Sequence, residues 1–250
     1  MEILFFVLFF VLGLIVGSFL NVVIFRFKKK ESVLKKRSYC LKCKKKLEVW
    51  DLFPVLSFLF LGGKCRYCKK PISIQYPLVE LVTAVLFVAL YWKFDLTIAL
   101  LYFLVITCLL ILIFVVDLKH YTVPDRLVIP GIFLAFLASY LILDFSLINL
   151  GLGVLVSGGF FLILFLISKG KAIGMGDLKL GILAGLILGF PEVILALFFA
   201  FIFGGLVGGI LILSKKKKGR DLIPFAPFFV TAIFLVIFFG EKILDKIWGM

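Results

Sequence analysis

"TIALLYFLVITCLLILIFVVDLKHYTVPD", residues 97–125, runs for twenty residues without a charge before it meets Asp117. A bilayer core about 30 Å thick needs about 20 apolar residues per helix, so this stretch predicts a membrane span that ends in a carboxylate. Similar runs over about 3–25, 77–92, 97–116, 127–143, 147–168, 178–191, 193–213 and 222–240 predict eight spans. With 64% hydrophobic residues and 31 phenylalanines, the chain exceeds what a soluble core accommodates. The expected fold class is an all-α polytopic membrane protein of about eight transmembrane helices with a cytoplasmic zinc-binding loop between the first two. The first run opens on Glu2, is long and lacks a small-residue cleavage site, so it is expected to stay as a helix instead of leaving as a signal peptide.

Placement of the basic residues orients these spans. If residues 26–76 lie in the cytoplasm, the loops near 117–126, 169–177 and 214–221 fall on the same side; together with Lys179 they hold 25 of the 28 Lys and Arg residues. Only Lys93, Lys242 and Lys246 remain elsewhere. Lys and Arg concentrate in cytoplasmic loops, so both termini are expected outside. The net charge of +14 is thereby assigned to orientation and anionic membrane lipid, not to nucleic acid.

The large loop carries Cys40 and Cys43 in "CLKC" and Cys65 and Cys68 in "CRYC", 21 residues later. Two such knuckles supply four thiolates to one tetrahedral zinc ion. Disulfides or free thiols are the alternative, disfavoured because a cytoplasmic loop is kept reduced. A four-cysteine site leaves no open position, so the zinc is expected to fold the lysine-rich loop. Cys108, within an apolar run, reads as packing.

Asp117 sits at a helix C-terminus, where the helix dipole disfavours an anion. Asp125 follows Pro124 at the start of the next predicted helix, which gives it an ordinary capping role. Asp177 ends "GMGD" and lies four residues before Gly181, with Gly185 and Gly189 continuing the interval. Small residues at that spacing allow close helix packing in membranes, so this face is expected to point inward, bringing Asp177 close enough to reach Asp117. The same spacing at Gly13/Gly17 and Gly204/Gly208 is common in a chain with 22 glycines. Two adjacent carboxyl groups share one proton, allowing one to deprotonate water while the other polarises a carbonyl. The competing function is an ion- or proton-coupled transporter with a zinc-folded regulatory loop. A noncatalytic scaffold leaves the position of Asp117 unexplained. There is one histidine, His120, and no Gly-x-Ser-x-Gly or His-Glu-x-x-His pattern.

The chain resembles the bacterial type IV prepilin peptidase family, the bifunctional leader peptidases and N-methyltransferases. The resemblance covers nearly the whole chain: "GLIVGSFLNVVIFR" (13–26), the paired Cys-x-x-Cys motifs, "DLFPVLSFLFLGGKCRYCKKPISIQYPLVELVT" (51–83), Asp117 to "VPD" (123–125), "GMGD" (174–177) and "IPFAPFF" (223–229). It implies an aspartic endopeptidase of the bacterial cytoplasmic membrane with catalytic Asp117 and Asp177, supported by Asp125, Gly174 and Gly176. Its implied substrates are prepilins or pseudopilins. The implied second activity methylates the new N-terminus with S-adenosylmethionine, and "GGKC" makes Gly63 and Lys64 candidate cofactor-binding residues. On this reading residues 1–25 are the first span, 26–76 the zinc loop and candidate methyltransferase region, and 77–250 the peptidase bundle. Two departures stand out: "CLKCKKKL" lacks the usual Pro after its first Cys and the frequent His after its second, and Ala226 replaces the usual Gly.

Overall fold

The apolar runs fold into helices in a computed structural model, which describes residues 2–29, 38–170, 173–215 and 223–248. In chain order these are α1 (Glu2–Lys29), a short α2 (Leu56–Phe60) inside the large loop, α3 (Gln75–Phe94), α4 (Ile98–His120), α5 (Asp125–Leu141), α6 (Leu147–Ser168), α7 (Met175–Leu188), α8 (Glu192–Leu213) and α9 (Ala226–Trp248). A helix satisfies its own backbone hydrogen bonds, which is what apolar surroundings demand.

Helices thus occupy all eight expected positions, and six of them, α1, α3, α4, α6, α8 and α9, are long and apolar enough to cross a membrane. The protein is a multi-pass membrane protein on this ground. The exceptions are α5, with 17 residues, and α7, with 14. At 1.5 Å per residue α7 spans about 21 Å, short of the hydrocarbon thickness. It begins at Met175, earlier than the expected 178, because Gly174 is extended (φ −86°, ψ 160°) and serves as its N-cap. It stops at Leu188, where Gly189 turns to φ +72°.

Two compact units divide within α4, between Leu112 and Ile113. In the first, α1 lies against α3. A Cβ on Gly13 would lie 2.5 Å from Ala84 Cα, and one on Gly17 would lie 2.7 Å from Glu80 Cα. The Gly13/Gly17 pair, whose spacing alone is common in this sequence, is therefore a close packing seam. Gly204 and Gly208, with nearest neighbours 3.5 Å away, make ordinary contacts.

In the second unit, α7 touches α5, α6, α8 and α9. Leu180, Leu183, Ala184 and Ile187 are buried to 2% exposure or less, so α7 is surrounded by protein and has no need to span lipid. Its glycine face points inward, as expected. A Cβ on Gly181 would meet Phe161 at 2.5 Å, and one on Gly185 would meet the Gly153 carbonyl oxygen at 2.5 Å, both on α6. Ser157 fastens the seam by donating to the Gly181 carbonyl at 2.7 Å. Gly189 lies beyond the helix end. These glycines seat α7 on α6, and Asp177 is held by the first turn of α7.

Candidate active site and metal centre

Both acids singled out in the sequence belong to the second unit. Helix α4 continues past Asp117 to His120, and Tyr121, in the left-handed region at φ 54°, ends it. Pro124 is extended and starts α5. Asp117 is only 4% exposed. Its Oδ2 accepts the backbone N–H of Ala226 at 3.2 Å, and Ala226 opens α9. The unfavourable dipole end of α4 is thus offset by the favourable end of another helix, whose first N–H groups have no partner within the helix. Sequence reasoning missed this donor, a backbone group; the proline-flanked "IPFAP" start of α9 was its only trace.

Asp177 occupies the third position of α7, and its Oδ2 accepts the Gly174 N–H at 3.2 Å. With the Asp177 N–H donating back to the Gly174 carbonyl at 3.1 Å, this bond fixes the carboxyl group to the helix that carries it. Gly176 is needed for closeness: a Cβ there would lie 2.8 Å from Val123 Cβ. The Asp177 charge acts electrostatically on Asp117, so the two carboxyl groups lie within reach of one another's field. Asp125 is the first residue of α5 and not its cap, which is Pro124. Its Oδ1 accepts from Lys179 Nζ at 2.6 Å, tying the start of α5 to α7; at 59% exposure this pair contributes at most about 1 kcal/mol.

The cysteines form a second centre in the first unit. The Sγ atoms of Cys40, Cys43, Cys65 and Cys68 lie within 4.8 Å of one another. Their two knuckles repeat the same backbone. Cys40 N–H donates to Lys45 O and Cys65 N–H to Lys70 O, both at 2.9 Å; Lys44 N–H returns to Cys40 O and Lys69 N–H to Cys65 O. Lys44 and Lys69 both take positive φ, 59° and 58°, and the bridges Tyr39–Lys46 and Lys64–Pro71 close the two turns at matching positions. Four sulfurs bonded at about 2.3 Å to a tetrahedral ion lie about 3.8 Å apart, so this cluster can hold a metal ion. Burial pushes the Cys40 thiol up, but the N–H groups of Cys43 and Lys42 and the thiols of Cys65 and Cys43 outweigh it and bring it down to about 7.

Gly63 and Lys64 belong to the second knuckle. Gly63, at φ 68°, donates to Phe58 O at 2.8 Å and accepts from Ile72 N–H at 2.7 Å. Beneath the lobe lies a cavity of about 490 Å³ whose walls include Asn21, Arg26, Asp51, Tyr76 and Glu80 but neither Gly63 nor Lys64. Glu80 went unmarked in the sequence although an acid within an apolar run is itself a functional signal. Cys108 is partly buried within α4.

Residues 104–209 match the type IV leader peptidase family and residues 11–94 match the bacterial Peptidase A24 N-terminal domain. A protein of Bacillus subtilis named prepilin leader peptidase/N-methyltransferase is 35% identical over 94% of this chain and 95% of its own length.

The chain belongs to the type IV leader peptidase family.

Proteins of the same name from Myxococcus xanthus (36% identical over 86% of this chain and 66% of theirs) and Xanthomonas campestris (30% over 94% and 91%) extend the similarity. No solved structure matches. As a family member this leader peptidase is an enzyme, and the transporter reading falls away.

Proposed function

We propose that this leader peptidase is an aspartic endopeptidase that removes the basic leader of type IV prepilins or pseudopilins at the cytoplasmic face of the bacterial inner membrane. Asp117 and Asp177 are its catalytic pair; Asp125, Gly174 and Gly176 support them. The observation that carries this reading is that two carboxyl groups on separate helices are each fixed by a backbone N–H and interact electrostatically. One carboxylate takes a proton from water, which attacks the scissile carbonyl; the other, protonated, donates a hydrogen bond to the carbonyl oxygen. The leaving amine then takes the proton that the first carboxylate drew from water as the C–N bond breaks, and the pair is left with its one shared proton. A prepilin presents an apolar helix behind its leader, so its scissile bond lies near the interface. Packing of that helix against the spans guides the substrate, since the basic loops repel a basic leader.

The same chain then methylates the exposed N-terminal amine with S-adenosylmethionine, the second activity that the relatives' names carry. The peptidase occupies the bundle of residues 77–250, and methyl transfer the region around residues 26–76. All eight long helices lie within the membrane, α7 shielded from lipid by its neighbours and α5 presenting Ile129, Phe133 and Leu141 outward, with both termini outside. Incubating the purified protein with a prepilin substrate tests both activities by mass. Release of the leader followed by a gain of about 14 Da, one transferred methyl group, is expected. Intact substrate would overturn the peptidase reading, and cleavage without the gain would leave a peptidase alone.

Zinc is the ion expected at the four cysteines, because their thiolates form a closed tetrahedral donor set. Elemental analysis should give one zinc per chain, and the pair Cys43→Ser and Cys68→Ser should lose it. Binding to such sites is worth about 10 kcal/mol or more to folding, so chelation should expose Lys42–Lys46 and Lys69–Lys70 to trypsin. Native protein without bound metal contradicts the assignment.

A further inference from the structure

Glu80 is a carboxylic acid in the membrane-spanning α3, and only 7% of it is exposed. Its Oε2 accepts the Val55 N–H at 2.8 Å. Gly17 brings α1 against its backbone. One turn further along α1, Asn21 is 2% exposed, donates to Tyr76 O at 3.0 Å and accepts from Gln75 Nε2 at 3.3 Å. Arg26 is likewise 2% exposed. Across the lobe, the Asp51 side chain is 3% exposed and paired with Arg66 Nε at 2.7 Å. Glu80, Asn21, Tyr76, Arg26, Asp51 and Arg66 line one cavity of about 490 Å³.

Burying charge in this way costs several kcal/mol per ion before pairing offsets it, and ionisable groups in membrane segments mark ligand sites. The volume lies within the range of small-molecule sites, which are mostly apolar with a few converging polar groups. Here those groups carry both signs, the carboxyl groups of Asp51 and Glu80 and the cationic groups of Arg26, Arg66, Lys42 and Lys70. Phe25, Tyr39 and Phe58 supply aromatic surface. A ligand complementary to this set has a carboxylate, cationic centres and a flat apolar ring system, and S-adenosylmethionine has each of these.

We infer that this cavity binds S-adenosylmethionine beside the new N-terminal amine, and that Glu80 accepts the proton the amine must lose. The inference rests on the methyltransferase half of the proposed function. The N-terminal ammonium transfers one proton to the Glu80 carboxylate. The amine nitrogen then attacks the methyl carbon, the N–C bond forming as the C–S bond breaks, and the electron pair returns to sulfur. The products are a methylated ammonium and S-adenosylhomocysteine, and Glu80 passes its proton to water. Gly63 and Lys64 act on this step indirectly, by shaping the knuckle whose Cys65 lines the cavity.

Two variants test this, Glu80→Gln and Val22→Phe, the second placing a ring in the cavity. Equilibrium dialysis of radiolabelled S-adenosylmethionine against the full chain should show binding weakened at least about tenfold by V22F, since an occupied cavity loses the ligand's apolar burial. Glutamine still accepts the Val55 N–H, so a purely structural Glu80 tolerates the exchange. A proton acceptor does not, and the rate of methyl gain should fall about 100-fold in E80Q. Both are read on preparations that release the leader and are therefore folded; if one does not release it, the other decides. Binding and methyl transfer within about threefold of wild type in either folded variant overturn the inference. Absence of methyl gain in the wild type instead refutes the methyltransferase reading on which it rests.

Discussion

Replacing either Asp117 or Asp177 by asparagine is expected to lower leader cleavage by about 1000-fold, within the 100- to 10,000-fold range of acid–base groups, while the protein keeps its fold. Asparagine is a strict choice here. Its amide oxygen still accepts the Ala226 N–H in place of Asp117 Oδ2, or the Gly174 N–H in place of Asp177 Oδ2. What it cannot do is exchange a proton with water or with the peptide. Because the two carboxyl groups act as a unit, the double variant should lose little more than either single one, as expected of strongly non-additive catalytic groups. Asp125→Asn forfeits only an exposed ion pair worth up to about 1 kcal/mol and should cost less than about fivefold. The check is the initial rate of leader release by purified variants in one detergent, with thermal unfolding alongside. Cleavage within tenfold of wild type by D117N or D177N rejects the pair; an equal loss in D125N makes Asp125 the partner to reconsider.

Gly185→Val should be the most damaging substitution away from the acids. Its Cβ would lie 2.5 Å from the Gly153 carbonyl oxygen, 2.6 Å from the carbonyl carbon and 2.7 Å from Ser157 Oγ. Two of those atoms are backbone and belong to a helix packed along its length, so no rotamer relieves the contact. Overpacking usually costs 1–3 kcal/mol; here separation of α6 from α7 also breaks the Ser157 bond and displaces the helix that carries Asp177, and we expect about 3 kcal/mol or more. Gly159→Val is the control, because nothing lies within 4 Å of its added Cβ. In detergent the first should lose most of its folded yield and the second should unfold near the wild-type temperature. Equal behaviour of the two would mean that α6 and α7 do not meet as described.

These two predictions separate what the sequence discloses from what it conceals. Length and polarity disclosed where eight helices lie, but an apolar run of about 20 residues is present in only six of them. The cysteine spacing disclosed a cluster whose sulfurs the fold brings together. Asp117 and Asp177 stood out because a carboxylate beside an apolar run is expensive. The partners of these residues were concealed. Gly185 and Gly159 are indistinguishable as letters, and only the packing of α6 makes one indispensable. The Ala226 N–H is present at every residue except proline and has no signature until a helix begins there. The cavity joins Asn21 to Glu80 across a long interval in the chain, and each alone reads as a polar residue in a span. The start of α7 was misplaced by three residues because Gly174-Met-Gly reads as a flexible linker, whereas Gly174 is an extended cap and Met175 already helical.

The bond between Asp117 and Ala226 also orders events during synthesis. Asp117 emerges from the ribosome more than a hundred residues ahead of Ala226, and until α9 enters the membrane the buried acid lacks the donor that holds it. A nascent chain therefore carries both aspartates well before Asp117 has the N–H group that fixes it, and the setting of this acid is complete only once α9 has packed against α4.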